Sequence, residues 1–175
     1  MGALQDHFAL FDLPRQYEID LMELERRFID LQSKVHPDKH AHLGDSEKRQ
    51  AMQLASNANE AFQTLKSPLK RASYLLHLVG HDVVIETNTA LPTAFLIEQM
   101  ELREAVGEAR SAKKESTLDD LRRDLKSRMK SQYEALRILL DVKKDYDAVT
   151  DSVRRLMFEG KLLQEIDDAL EAIEA

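Results

Sequence analysis

The sequence predicts an all-α protein built from two helical units. Three observations carry that prediction. Sustained strand alternation is absent, and apolar residues instead recur at three- and four-residue spacings along most of the 175 residues. Only 5 Gly and 4 Pro interrupt the chain, and the prolines stand at the edges of helical patterns. Hydrophobic residues make up 43% and charged residues 33%, the balance of a folded chain rather than a disordered one.

A short apolar helix carrying Phe8 and Phe11 is expected from Asp6 to about Leu13, ended by Pro14. The second helix opens on Asp20 as N-cap, with Glu23 at the capping-box position. Its apolar residues Leu21, Leu24, Phe28, Leu31 and Val35 form one core stripe, and Pro37 ends it. After a polar loop, a third helix starts at Asp45 or Ser46 and carries Met52, Ala55, Ala58, Asn59, Phe62 and Leu65. Ser67-Pro68 breaks it, and Pro68 suits the first turn of a fourth helix bearing Leu69, Ala72, Leu75, Leu76 and Leu78.

The β-branched stretch Asp82 to Thr89, after Gly80 and before Leu91-Pro92, reads as a linker in which Val83 or Ile85 packs locally. Three further amphipathic helices follow. The first runs from about Thr93 to Arg110. The second is capped by Thr117, with Asp120 three residues on, and carries Leu118, Leu121, Leu125, Met129, Leu136 and Leu139. The third holds Tyr146, Val149, Val153, Leu156, Gly160, Leu163, Ile166, Leu170 and Ile173. Short connections between three such helices point to an antiparallel bundle.

Composition narrows the function. Residues 1–79 hold 10 Lys+Arg and 11 Asp+Glu, and the remainder 15 and 21, so most of the net charge of -7 lies in the second unit. An acidic chain without a basic stripe and interleaved aromatics is a poor nucleic-acid binder. No Cys means no disulfide and no thiolate metal site. No apolar run approaches the roughly 18 residues of a membrane span, and the N-terminus lacks the pattern of a signal or transit peptide, so a cytoplasmic protein is expected.

The candidate chemistry lies at His36-Pro37-Asp38. Pro37 sets its own φ and keeps His36 out of helical geometry, so an imidazole and a carboxylate are presented from a stiff turn. His36, Asp38, His40 and His42 alternate like metal ligands, but Pro37 keeps His36 and His40 off a common helical face, and zinc wants three or four converging ligands. No His-Glu-x-x-His pattern, P-loop, dinucleotide fingerprint or serine-nucleophile motif occurs, so neither a metal, a cofactor nor an enzyme activity is expected.

Taken with Asn59-Glu60-Ala61-Phe62, Leu65, Ser67-Pro68, Arg71-Ala72 and Tyr74, this turn resembles the J-domain of the DnaJ-class co-chaperones over residues 6–79. The resemblance implies a helical hairpin with flanking helices. It also implies that His36, Pro37 and Asp38 dock on a DnaK-class chaperone and promote hydrolysis of its bound ATP. Such domains use a basic face on the second helix, for which Arg26, Arg27 and Lys34 are the candidates here. Glu25, Asp30 and apolar Ile29 interrupt that face, which suits a dedicated chaperone partner.

The helix from Thr93 has two apolar faces. At about 100° per residue, Phe95, Leu102, Val106 and Ala109 point one way, toward a core. Leu96, Ile97, Met100 and Glu104 cluster about 100–200° away. On the last helix Phe158 and Leu162 likewise fall outside the side marked by Val149, Val153, Leu156 and Gly160. Such residues either pack elsewhere in the chain or form a partner-binding patch.

Ala94-Phe95-Leu96-Ile97-Glu98-Gln99-Met100-Glu101-Leu102-Arg103-Glu104 and Val153-Arg154-Arg155-Leu156-Met157-Phe158, behind a J-domain, resemble the HscB family of J-type co-chaperones of bacterial iron–sulfur cluster assembly. This resemblance covers nearly the whole chain. It implies a J-domain at 1–79, a linker at 80–92 and a three-helix bundle at 93–175. The bundle would hold an iron–sulfur scaffold protein (IscU-like) and the J-domain would present it to a specialised chaperone (HscA-like). The scaffold-contacting positions would be Leu96, Ile97, Met100, Glu101, Glu104 and Phe158. An adaptor for a different client protein is the alternative.

Overall fold

The structure, a computed structural model, describes residues 6–39, 41–83 and 91–175, and of Pro37 the backbone only. All regular elements among them are helical: α1 (His7–Leu10), α2 (Leu21–Val35), a 3₁₀ turn (Pro37–Lys39), α3 (Asp45–Lys66), α4 (Pro68–Leu78), α5 (Thr93–Ser111), α6 (Glu115–Arg137), a π-helical segment (Ile138–Lys143) and α7 (Tyr146–Glu174). The all-α expectation holds, with a hairpin-based first unit and a three-helix bundle after it. The chain divides into two compact units, Met1–Leu75 and Leu76–Ala175. Most of the expected linker, including Ile85, lies outside the described residues; Val83 is half-buried.

In the first unit α2 and α3 form an antiparallel hairpin. The Phe28 and Phe62 rings stack at 4.1 Å, and Gln32 Nε2 donates to the Ala55 carbonyl at 3.4 Å. Leu24, Val35, Ala58, Ala61, Phe62 and Leu65 are buried between them and their neighbours. Met52 and Asn59, expected to share the core stripe of α3, are exposed, and Ala61 takes a buried place. Arg71 is buried as well: its guanidinium donates to the Leu65 carbonyl at 2.7 Å and lies 4.8 Å from the Tyr17 ring, tying the end of α3 to α4. Tyr74 packs its ring on His7 at 4.3 Å, and its hydroxyl accepts the His7 amide.

The short first helix ends differently from expectation. It stops at Leu10 rather than running to Pro14, because Asp12 turns the chain with φ 51. The Asp12 amide bonds the Ala9 carbonyl and the Leu13 amide bonds Phe8, a Schellman closure. Asp tolerates this left-handed backbone better than most residues. On α2 the Asp20 cap is made, its carboxylate accepting from the Met22 and Glu23 amides. Glu23 does not reach back to complete a capping box; it takes Arg26 and Arg27 instead.

In the second unit, α6 runs antiparallel to α7, as the pairs Arg122–Asp167 and Gln132–Glu159 require. α5 runs alongside α7 in the same direction, held by Arg103–Glu165 and the Phe95–Phe158 edge contact. α6 starts at Glu115, two residues before the expected Thr117 cap. A second Schellman closure at Lys113 (φ 53) returns the chain into helix at once. The bundle core holds Phe95, Val106, Ala109, Leu118, Leu125, Met129, Leu136, Val149, Val153, Leu156, Leu162 and Ile166. Leu162 is therefore core, contrary to its expected place on the far side of α7.

Candidate functional site

α2 delivers the first site at its C-terminus. His36 is the C-cap residue, with φ -59 and ψ 136, as its position before proline dictates. The 3₁₀ turn closes with a bond from the Lys39 amide to the His36 carbonyl at 3.0 Å. The Asp38 amide donates to His36 Nδ1 at 3.3 Å, and the Asp38 carboxylate lies 3.5 Å from the same nitrogen. Lys39 Nζ bonds Ser33 Oγ at 3.3 Å and ties the turn back to α2. The side chains of both His36 and Asp38 are exposed, so the turn presents an imidazole and a carboxyl group on a braced backbone.

The basic candidates on α2 are engaged within the unit. Arg26 bonds Glu23 at 2.6 Å and lies 3.6 Å from Asp30. Arg27 bonds Glu23 at 2.6 Å and the Phe11 carbonyl at 2.7 Å, and also reaches the Asp12 carbonyl. The bonds from Arg26 and Arg27 hold the Glu23 carboxyl down at about 2. Lys34 is exposed in the last turn of α2. Among the described residues no group of three or more His, Cys, Asp or Glu could hold a metal ion, and His40 lies outside them.

The second site is on the bundle. α5 buries Phe95, Gln99, Val106 and Ala109, and Leu102 is half-buried. On the opposite side Ile97 is 51% and Met100 69% exposed, with Glu101 and Glu104 exposed beside them. Leu96 is half-buried at the edge of that face. Phe158 is half-buried on α7, its ring 6.3 Å from Phe95 and edge-on to it. Of the six positions, the structure thus gathers Ile97, Met100, Glu101 and Glu104 on one exposed face of α5. Phe158 comes from the neighbouring helix, against the first turn of α5.

Besides Arg71, two buried polar residues of the bundle were not anticipated. Gln99 is 1% exposed in the α5 core stripe. Glu159 is 1% exposed on α7, 3.0 Å from the Arg128 guanidinium, and accepts a bond from Gln132 at 2.6 Å. Arg128 also bonds Glu98 of α5 at 2.5 Å, so all three helices meet in this cluster. The buried positions of α7 are 149, 153, 156, 159, 162, 166, 169 and 170, which puts Glu159 one place off the stripe that sequence periodicity gives.

Comparison with known proteins places this architecture. Residues 91–167 match the family model described as the HSCB C-terminal oligomerisation domain. A co-chaperone protein HscB homolog of Aromatoleum aromaticum is 50% identical over 97% of this chain and 96% of that protein. The chain belongs to the HscB family of co-chaperones. HscB from Vibrio cholerae superposes with a TM-score of 0.85 at 35% identity, over 96% of this chain and 99% of the other. The crystal structure of human HscB does so with a TM-score of 0.88 at 26% identity, over 95% and 83%. Like other HscB proteins, the chain is a J-type co-chaperone of iron–sulfur cluster assembly. No helix among its described residues is long and apolar enough to cross a membrane.

Proposed function

We propose that this HscB-family chain is a two-site adaptor in the cytoplasm. Its J-domain acts on a dedicated DnaK-class chaperone (HscA-like), and its bundle carries the iron–sulfur scaffold protein (IscU-like). The observation that carries the reading is the exposed apolar face of α5, on the same chain as the braced His36-Pro37-Asp38 turn but in the other unit. A bundle helix whose core lies on one side has no structural need for Ile97 and Met100 on the other. Ile97, Met100, Leu96 and Phe158 serve as apolar anchors for the scaffold, each contributing on the order of 1.5–3 kcal/mol where fully buried. Glu101 and Glu104 sit at the rim and set orientation and on-rate against basic residues of the scaffold.

His36, Pro37 and Asp38 dock on the chaperone ATPase and favour its ADP state, which grips the scaffold, while Arg26, Arg27 and Lys34 flank the contact. ATP is hydrolysed on the chaperone; this chain performs no chemistry of its own and needs no metal or cofactor. Joining the two sites in one molecule raises the scaffold's local concentration at the chaperone without any new contact. The test is the steady-state ATPase rate of the HscA-type chaperone with this chain or its His36→Gln variant, each with and without scaffold. Stimulation that scaffold enhances and the variant loses is expected. A wild-type chain that fails to stimulate would overturn the reading.

A further inference from the structure

We propose that Arg128 of α6 is a positioning residue for scaffold binding: it ties Glu98 of α5 to Glu159 of α7 and so sets the anchors of those two helices on one surface. The proposal rests on the scaffold-binding reading of α5 and Phe158. α6 supplies none of the six scaffold positions, yet Arg128 Nη1 donates to Glu98 at 2.5 Å and its Nε lies 3.0 Å from Glu159. Glu98 directly follows Ile97, and Glu159 directly follows Phe158. The guanidinium thus grips each of the two helices next to an anchor. Gln132, one turn further along α6, donates to Glu159 at 2.6 Å and fixes the same carboxylate from a second point.

Two observations say that this clamp does more than hold the bundle together. Glu159 is 1% exposed, and a carboxylate taken out of water inside a helical bundle costs stability that an apolar residue in its place would not. The best-attested use of a buried ionic group kept at such a cost is to fix register between helices. The bundle beside the clamp is also under-filled. A cavity of about 260 Å³ is lined by Leu102 and Val106 of α5, Leu121 and Leu125 of α6 and Leu162 of α7, and Arg128 borders it. Side chains facing a void lose dispersion partners there, so close packing does not by itself hold α5 against α6. A guanidinium is planar, with donors fixed in a fork, and bridges two carboxylates in a way that the point charge of a lysine does not. Anchors from two helices bind as one patch only while their spacing is fixed, because an anchor out of place has to be moved on binding and affinity falls.

Scaffold affinity is read by calorimetry on the full chain, at a temperature where circular dichroism shows each variant folded. Arg128→Ala is expected to raise the scaffold Kd by about fivefold or more. Glu98→Ala leaves the buried Arg128–Glu159 pair in place, and with it the fold, and should raise Kd by about threefold. It decides the matter by itself where Arg128→Ala does not fold. The double variant should bind no more weakly than Arg128→Ala, since Glu98 acts only through Arg128. Chaperone stimulation without scaffold should be unchanged in all three. The two substitutions remove opposite charges, so a long-range effect of charge would move Kd in opposite directions and cancel in the double variant. That pattern, or an unchanged Kd in Glu98→Ala, overturns the proposal and leaves the scaffold reading intact. Losses that multiply in the double variant overturn it too, and make Glu98 a direct contact of the scaffold. A wild-type chain that does not bind scaffold overturns both.

Discussion

Glu159 stands out at the residue scale, as a carboxylate at 1% exposure inside a helical bundle. Burial pushes its carboxyl above the ordinary range, against the pull of Arg128 and the bond from Gln132. A carboxyl that holds its proton more tightly when folded contributes most below the unfolded pKa and loses that contribution as pH rises through the folded one. At neutral pH the ionised group therefore costs stability. Glu159→Gln is expected to raise Tm at neutral pH, with the gain gone near about pH 4, where the carboxyl of the unfolded chain takes up its proton. Thermal unfolding at the two pH values checks this. An equal or lower Tm for the variant at neutral pH would show that the Arg128 pairing outweighs burial. Gln99 and Glu159 both escaped a reading by hydropathy, because that reading assigns polar residues to solvent. Glu159 also fell one place off the expected stripe. α7 packs against α5 on one side and α6 on the other, so it buries an arc wider than the single stripe a wheel assigns. That wide arc takes in Leu162 as well.

At the scale of elements, the ends carry the surprises. α1 closes on Asp12 and α5 on Lys113, both non-glycine residues with positive φ. Nothing in a propensity pattern marks them, since glycine is the usual residue there. Arg27 reinforces the first of these turns by bonding the Phe11 and Asp12 carbonyls. Arg27→Ala removes both bonds, one to a part-buried and one to an exposed carbonyl, at a cost of about 0.5–1.5 kcal/mol. A lower denaturant midpoint is expected. An unchanged midpoint with weaker chaperone stimulation would assign Arg27 to the partner instead. The corner from α6 to α7 is a π-helical segment ending at Lys144 (φ 52), where the Asp145 amide reaches back to the Leu139 carbonyl at 3.0 Å. The Asp145 carboxylate then caps α7 through the Ala148 amide. Sequence periodicity placed Leu139 on a continuing α-helix, because a widened turn has no residue signature of its own.

For the whole molecule, two units divide the labour that the proposed function assigns. If the bundle holds the scaffold and the first unit acts on the chaperone, the sites are separable by mutation. Leu96→Ala is expected to weaken scaffold binding by about tenfold, or about 1.4 kcal/mol, while the fold and stimulation in the absence of scaffold persist. Calorimetry checks the affinity. A fall in Tm without a binding defect would return half-buried Leu96 to the core. The lost quantity in the ATPase assay should then be the scaffold's enhancement alone, since linkage through this chain is what raises its local concentration.

Helix order, the core stripe of α5, that of α2 from Leu24 to Val35, and the helix-terminating turn at His36-Pro37-Asp38 follow from the chain's own residues, whereas Leu21, expected to open the α2 stripe, is 47% exposed. They depend on local steric rules and on 3.6-residue periodicity, which act within a few residues of one another. The resemblance to HscB likewise rested on short local motifs. Tertiary structure alone decided that Arg27 belongs to the end of α1, that Arg71 bridges α3 and α4, and that Glu159 is buried with Arg128. Arg27 reaches a carbonyl 16 residues back, Arg71 one six residues back across the break between α3 and α4, and Glu159 a guanidinium on another helix. A charged side chain reads as solvent-facing until the carbonyl or guanidinium that receives it has been brought into place.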